Sequence, residues 1–388
     1  MKITKPILIA SAIAGTFTVN TAVADTQRWS AEKANNWYAK QRWLVGSNYT
    51  NASAINQLEM WQADTFNPAE IDKELGYAEG IGMNTMRVFL HDLAYAQDPE
   101  GFKKRINIFL DLASKHKIKP LLVIFDSCWD PAPKTGPQHM PIPGVHNSGW
   151  VQSPANAVLL DESQHPRLKA YVEDVVKTFA KDDRIIGWDV WNEPDNTGGG
   201  GYKQLDEKIK TAAAAKLLPQ VFAWVRAQDP IQPLTSGVWH GDDWTISSFK
   251  KEGGSLNAVE KTQLSESDVI SFHDYGWPEG FEARVKQLVP YGRPIICTEY
   301  MARGNGSTFD GDLPIAKKYN IGMINWGFVK GKTQTDMPWD SWEKPYVMRP
   351  PILWFHDIFY ADGKPYRQAE VDMIKAMAKD AEKAFKEK

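Results

Sequence analysis

Short runs rich in β-branched and aromatic residues recur along the chain, each followed by a stretch with helical spacing or by a loop. The runs are RWLVGSNY (42–49), MNTMRVFLHD (83–92), IKPLLVIFDS (118–127), IIGWDVWNE (185–193), PLTSGVW (233–239), DVISFHDY (268–275), RPIICTEY (293–300) and IGMINWGF (321–328). Several are apolar almost throughout, the pattern of parallel strands covered on both faces. Between them, NPAEIDKELGYAEGIG opens on Asn-Pro and closes on glycine, as a capped helix does. FKKRINIFLDLASKHKI repeats apolar residues at three- and four-residue spacing. HPRLKAYVEDVVKTFAKDD and KIKTAAAAKLLPQVFAWVRAQD continue the alternation, with Pro219 predicted to kink or break the latter. Eight repeats of this order predict an α/β fold, a single (β/α)8 barrel.

Two connections are longer than an ordinary loop: 128–160, rich in Pro, Gly, His and Trp, and 328–350, with Trp339 and Trp342. Both follow predicted strands, so both belong on the face where barrel active sites lie. Residues 366–388 read as a terminal amphipathic helix. At the other end, Lys2 and Lys5 precede the apolar stretch PILIASAIAGTFTV, and AVA closes at Ala24 before Asp25. That is the layout of a secretory signal peptide, so a mature barrel over 25–388, secreted or periplasmic, is expected.

Composition narrows the picture further. The 388 residues are 43% hydrophobic and 24% charged, enough for a large core. Lys and Arg number 45 against 48 Asp and Glu, a net charge of -3, which gives no basic face for nucleic acid. No later stretch reaches the roughly 18 apolar residues of a membrane span, and no cysteine follows the cleavage point, so no membrane anchor is expected. The two cysteines, Cys128 and Cys297, fall on opposite sides of the predicted barrel and are expected to be buried free thiols. The eight histidines form no metal-binding motif, so neither metal nor other cofactor is called for. Sixteen Trp and 13 Tyr are more than a core needs, and flat rings with a polar edge suit sugars.

Barrel enzymes draw their chemistry from the carboxyl ends of different strands. Those ends carry Asn48, Arg87, Asp126, Asn192, Glu193, Trp239, His273, Tyr275, Glu299 and Trp326. Two carboxylates stand out, Glu193 on the fourth strand and Glu299 on the seventh. Such a pair is what glycosidic cleavage needs: one group protonates the leaving oxygen and the other stabilises or attacks the anomeric carbon.

WNEP after an apolar strand resembles the acid/base motif of glycoside hydrolase clan A, and ICTEY resembles that clan's nucleophile strand. The whole pattern is most similar to the cellulase-like family five and to the barrel domains of family two. The resemblance implies Glu193 as acid/base, Glu299 as nucleophile and Asn192 on the sugar 2-hydroxyl. It implies Arg87 and Tyr275 as partners that keep Glu299 ionised, His273 beside the acid/base, and Trp326 as the aromatic floor of the sugar site. Asp126 departs from the cellulase pattern, which often carries histidine at the end of strand three. Asn48, Asp126 and Trp239 are further candidates for substrate contact. The implied activity is retaining hydrolysis of a β-linked poly- or oligosaccharide of the glucan, mannan or xylan type. A furanosidase or transglycosylase of the clan would share these residues. A non-catalytic carbohydrate-binding barrel would have no reason to keep both glutamates.

Overall fold

A computed structural model describes residues 27–387, so the expected signal peptide lies outside the described residues. All eight predicted runs contain a strand: β1 (Val45–Tyr49), β2 (Thr85–Phe89), β3 (Lys119–Val123), β4 (Gly187–Asp189), β5 (Leu234–Thr235), β6 (Ile270–His273), β7 (Ile295–Glu299) and β8 (Gly322–Asn325). They form one parallel sheet in the order β5-β4-β3-β2-β1-β8-β7-β6. A parallel bridge between Val238 and Phe272 joins β5 to β6 and closes the barrel, with Val238 N–H donating to Ser271 and His273 N–H to Val238.

The helices cover the outside. Pro68–Gly80, Pro99–Lys115, His165–Phe179, Glu207–Arg226 and Gln368–Lys386 coincide with the predicted helical stretches. Asn67 and Asp98 cap the first two by accepting from Glu70 and Gly101 N–H, and each helix then begins with proline, which has no amide hydrogen to lose there. The helix over 207–226 continues through Pro219 without a break. One missing backbone bond is outweighed by the burial of Leu217, Leu218, Val221 and Phe222 against the sheet.

Inside the barrel, Leu44, Leu121, Ile186, Val269, Ile296 and Ile324 pack as one cluster with Tyr38 of the amino-terminal helix Ala31–Tyr38. This plug fills the amino-terminal end, and the polar inward positions gather toward the other. Register sets what those positions are: Asn48 stands beside Arg87, and Arg87 beside Leu121. Gly46 lets β1 and β2 approach, since a Cβ there would lie 2.0 Å from the Thr85 carbonyl oxygen. The regular ladders of β3 and β4 stop before their predicted ends. The two segments stay together through a bridge between Asp126 and Asn192, with Asn192 N–H donating to Phe125 and Ser127 N–H to Asn192.

Candidate active site

A cleft of about 600 Å³ opens at the carboxyl ends of the strands, with Glu193, Glu299, His273, Tyr275, Trp239 and Trp326 in its walls. Glu193 ends the apolar run of the fourth strand with φ at +44°, in the left-handed region where non-glycine residues are rare. Holding it there costs roughly 1–3 kcal/mol, a strain typical of functional turns. Pro194 follows, with φ fixed by its ring, and the turn is closed by Asn196 N–H donating to the Glu193 carbonyl at 2.9 Å. The apolar run thus ends in a sharp turn that presents a carboxyl group to the cleft.

Three groups surround that carboxyl. Asn196 donates to Oε2 at 2.6 Å, the Cys128 thiol to the same oxygen at 3.3 Å, and His273 Nδ1 meets Oε1 at 2.8 Å. Burial pushes the His273 ring down to about 4, so it is neutral near pH 7. Across the site, Glu299 Oε1 accepts from Arg87 at 2.8 Å and Oε2 from the Tyr275 hydroxyl at 2.7 Å. A carboxylate oxygen of each glutamate and a ring nitrogen of His273 all fall within 4.8 Å of one another. These are donor atoms a small cation could use. The 2.8 Å contact is nevertheless a hydrogen bond with no space between its atoms, and Arg87 repels further positive charge at Glu299.

Burial raises both glutamates above the ordinary carboxylate range. For Glu299, burial outweighs the lowering influence of the neighbouring Arg87. Desolvation is the main cause and the nearby Glu193 carboxyl adds to it, while Arg87, which also donates to Asp189 Oδ2 through Nε and one terminal nitrogen at 2.9 and 2.8 Å, acts in the lowering direction. The two carboxyl groups still differ. Glu299 has a guanidinium in direct contact, whereas Glu193 accepts from Asn196 and the Cys128 thiol.

Several sequence candidates lie beneath the cleft. Arg87 is fully buried, and Asn48 accepts from it at 2.9 Å while donating to the Thr298 and Asn325 carbonyls. Asn192 accepts from Arg87 at 2.6 Å and donates to Asp126 Oδ1 at 2.9 Å. Asp126 is buried too, and its other oxygen accepts from Trp150 Nε1 and Gln57 Nε2. Asn48 and Asp126 are thus buried and hydrogen-bonded beneath the cleft, bracing Arg87 and Asn192. Trp239 does line the cleft, anchored by Nε1 donating to Asp195 Oδ1 at 2.9 Å. Trp326 also reaches it, wedged edge to face between Phe89 and Trp150.

Sequence reasoning missed Asp189, Asn196 and Asn147, and it misplaced Cys128, which is free but half-buried at the cleft beside Glu193. Cys297 is free and buried. Asp189 had a signal, a lone carboxylate inside an apolar strand, which is rare unless it is paired.

Over residues 47–344 the sequence matches the family described as Cellulase (glycosyl hydrolase family 5). A search of curated protein sequences returns no match. Among solved structures, the fold is similar to the hyperthermostable endo-1,4-β-D-mannanase of Thermotoga petrophila RKU-1, at 14% identity and a TM-score of 0.55, covering 87% of this chain and 99% of that one. It is similar also to an exo-β-1,4-mannosidase from Opitutaceae bacterium strain TAV5, at 18% identity and 0.57, covering 87% and 60%. A β-1,4-mannanase from the sea hare Aplysia kurodai aligns at 16% and 0.52, covering 80% and 95%. With a closed (β/α)8 barrel and a family match spanning most of its length, this chain belongs to glycosyl hydrolase family 5 and is an O-glycoside hydrolase.

Proposed function

We propose that the protein hydrolyses β-linked poly- or oligosaccharides with retention of configuration, mannan being the first substrate to test given the mannanases and mannosidase that share its fold. In this reading Glu299 attacks the anomeric carbon while Glu193 gives its proton to the departing glycosidic oxygen. Glu193 then takes a proton from water, which attacks the glycosyl-enzyme and frees Glu299. The observation that carries the reading is the closeness of the two carboxyl groups across an open cleft, with oxygens within 4.8 Å. Retaining pairs stand about 5–5.5 Å apart, whereas an inverting pair needs about 6.5–9.5 Å to admit a water. Asn192 and Trp326 would hold the sugar, and Arg87 and Tyr275 would orient the nucleophile. The amino-terminal segment would export the protein and leave after Ala24. Sequencing the terminus of the exported chain checks that, and Met1 there would refute it. Among the described residues no helix is long and apolar enough to cross a membrane.

The roles of the two glutamates separate in one experiment. In Glu193→Gln the proton donor is gone but the nucleophile remains. A dinitrophenyl glycoside, whose leaving group needs no proton, should still form the glycosyl-enzyme quickly, and azide, which needs no base, should restore turnover as a β-glycosyl azide. Poor leaving groups should lose about 10²–10⁴-fold. Glu299→Gln should form no covalent intermediate and give no azide product of retained configuration. If Glu193→Gln is equally slow on every leaving group, or azide rescues Glu299→Gln by that route, the assignment fails.

A further inference from the structure

We infer that the enzyme is exo-acting, removing one sugar at a time from the non-reducing end of a β-linked chain, because the glycone side of its cleft is walled off. The wall is a bridge between the two long loops that follow β3 and β8. Gln334 donates to the Ile142 and Val145 carbonyls and accepts from Gly144 N–H. Tyr346 N–H donates to the Gly144 carbonyl, Asn147 N–H to Thr333, and His146 N–H to the Ser341 hydroxyl. His146 Nδ1 meets the Met337 carbonyl at 2.9 Å. Since β2 and β1 lie between β3 and β8 in the sheet, this bridge passes over their ends.

The loop after β4 joins the same wall. Trp129 and Trp342 stack at 5.5 Å with 16° between their planes, and the Tyr202 hydroxyl donates to the Ser148 carbonyl. Gly200, at φ +60°, lies so close over the Trp342 ring that a Cβ would sit 2.4 Å from it. The remaining side of the cleft is lined by Trp239 after β5 and by Tyr275 and Arg284 after β6; Tyr275 meets Trp339 of the loop after β8 at 5.1 Å, and Trp277 beyond is 69% exposed.

The direction of the substrate rests on the retaining reading above. The sugar attacked by Glu299 lies on Trp326, which packs against Trp150 of the bridging loop and therefore sits under the wall. The leaving group lies beyond Glu193, toward Trp239 of the segment after β5, on the side the bridge does not cover. A chain can extend outward there, whereas the sugar ahead of the scissile bond meets the wall.

The wall also offers something to hold. Asn147 is fully buried, lines the cleft and is fixed by its backbone in the left-handed region at φ +48°. Neither its amide nitrogen nor its amide oxygen has a hydrogen-bond partner among the described residues. A buried amide left so is unfavourable until a ligand completes it. One donor and one acceptor side by side suit two neighbouring hydroxyls of a terminal sugar, so the structure assigns Asn147 to the non-reducing end.

The test uses the intact protein with β-1,4-mannohexaose, cellohexaose and xylohexaose, each labelled at the reducing end, beside the matching aryl β-monoglycosides. In the first few per cent of reaction the cleaved hexaose should give monosaccharide and labelled pentamer alone, and methylation of the non-reducing terminal 4-hydroxyl should stop it. Labelled monomer to trimer appearing at the outset would show internal cleavage and overturn the exo inference while leaving the glycosidase reading intact. No hydrolysis of any aryl glycoside or hexaose would overturn both. Asn147→Ala should lower kcat/KM on the aryl glycoside about tenfold or more, and an unchanged value would remove that residue from the site. Gln334→Ala, which takes three bonds from the bridge, should let labelled tetramer appear early. If its products stay those of the parent, the bridge does not set the exo limit.

Discussion

A guanidinium taken wholly out of water is costly unless its donors are filled, and Arg87 makes five hydrogen bonds to do so, with Asp189, Asn48, Asn192 and Glu299. It thereby holds Asn192 and Glu299 from a single buried point inside the barrel. Asp189 shares that guanidinium, while burial holds Glu299 above its ordinary range. Removing that second carboxylate should work in one direction. In Asp189→Asn the guanidinium faces Glu299 alone, the ionised form of Glu299 gains, and its pKa falls. The acid limb of kcat/KM against pH should therefore move to lower pH. A limb that stays in place or moves upward would mean that Asp189 only positions Arg87 and does not moderate it.

At the scale of strands and loops, what the sequence revealed follows from periodicity. Glu193 and Glu299 are legible because each ends an apolar run, and the eight runs give the strand order of a barrel without any knowledge of contacts. Gly46 was not legible as a requirement, since its reason is the neighbouring Thr85 carbonyl, which only pairing brings near. A methyl there should force β1 and β2 apart, and Gly46→Ala should lower stability by about 1–3 kcal/mol, read as a lower urea midpoint with little change in slope. An unchanged midpoint would show that the strands give way at no cost. Asp126 and Asn48 look like ligands from their strand-end positions alone. Their hydrogen bonds to the buried Asn192 and Arg87 are encoded by no pattern. The bridge was invisible for the same reason: Gln334 and Gly144 are 190 residues apart, in loops without periodicity.

Across the whole molecule, stability against pH is shaped by groups the barrel buries on both sides of neutrality. His91, His146 and His273 are each lowered from 6.5 to about 4 by burial. The unfolded chain takes up their protons first as pH falls from 6.5 toward 4, so their contribution is present above 6.5 and lost on acidification. Glu74 acts in the opposite sense. Burial behind β1 raises it from 4.5 to about 8, while Tyr49 donates to one of its oxygens at 2.8 Å and Ala52 N–H to the other at 3.0 Å. The folded state therefore binds its proton across pH 4.5–8 where the unfolded state does not. Its stabilising effect is complete below 4.5 and is lost as pH rises through 8. Glutamine keeps an oxygen for Ala52 and offers its amide to the Tyr49 oxygen, yet has no proton to lose. Glu74→Gln should thus match the parent near pH 4 and exceed it increasingly toward pH 8.5, by an amount on the order of a few kcal/mol. Thermal or urea unfolding of both proteins at these two pH values measures the difference directly, and other titrating groups cancel if they are too distant to couple with Glu74. A gap that is constant with pH, or that closes as pH rises, would show that Glu74 is already ionised in the folded barrel.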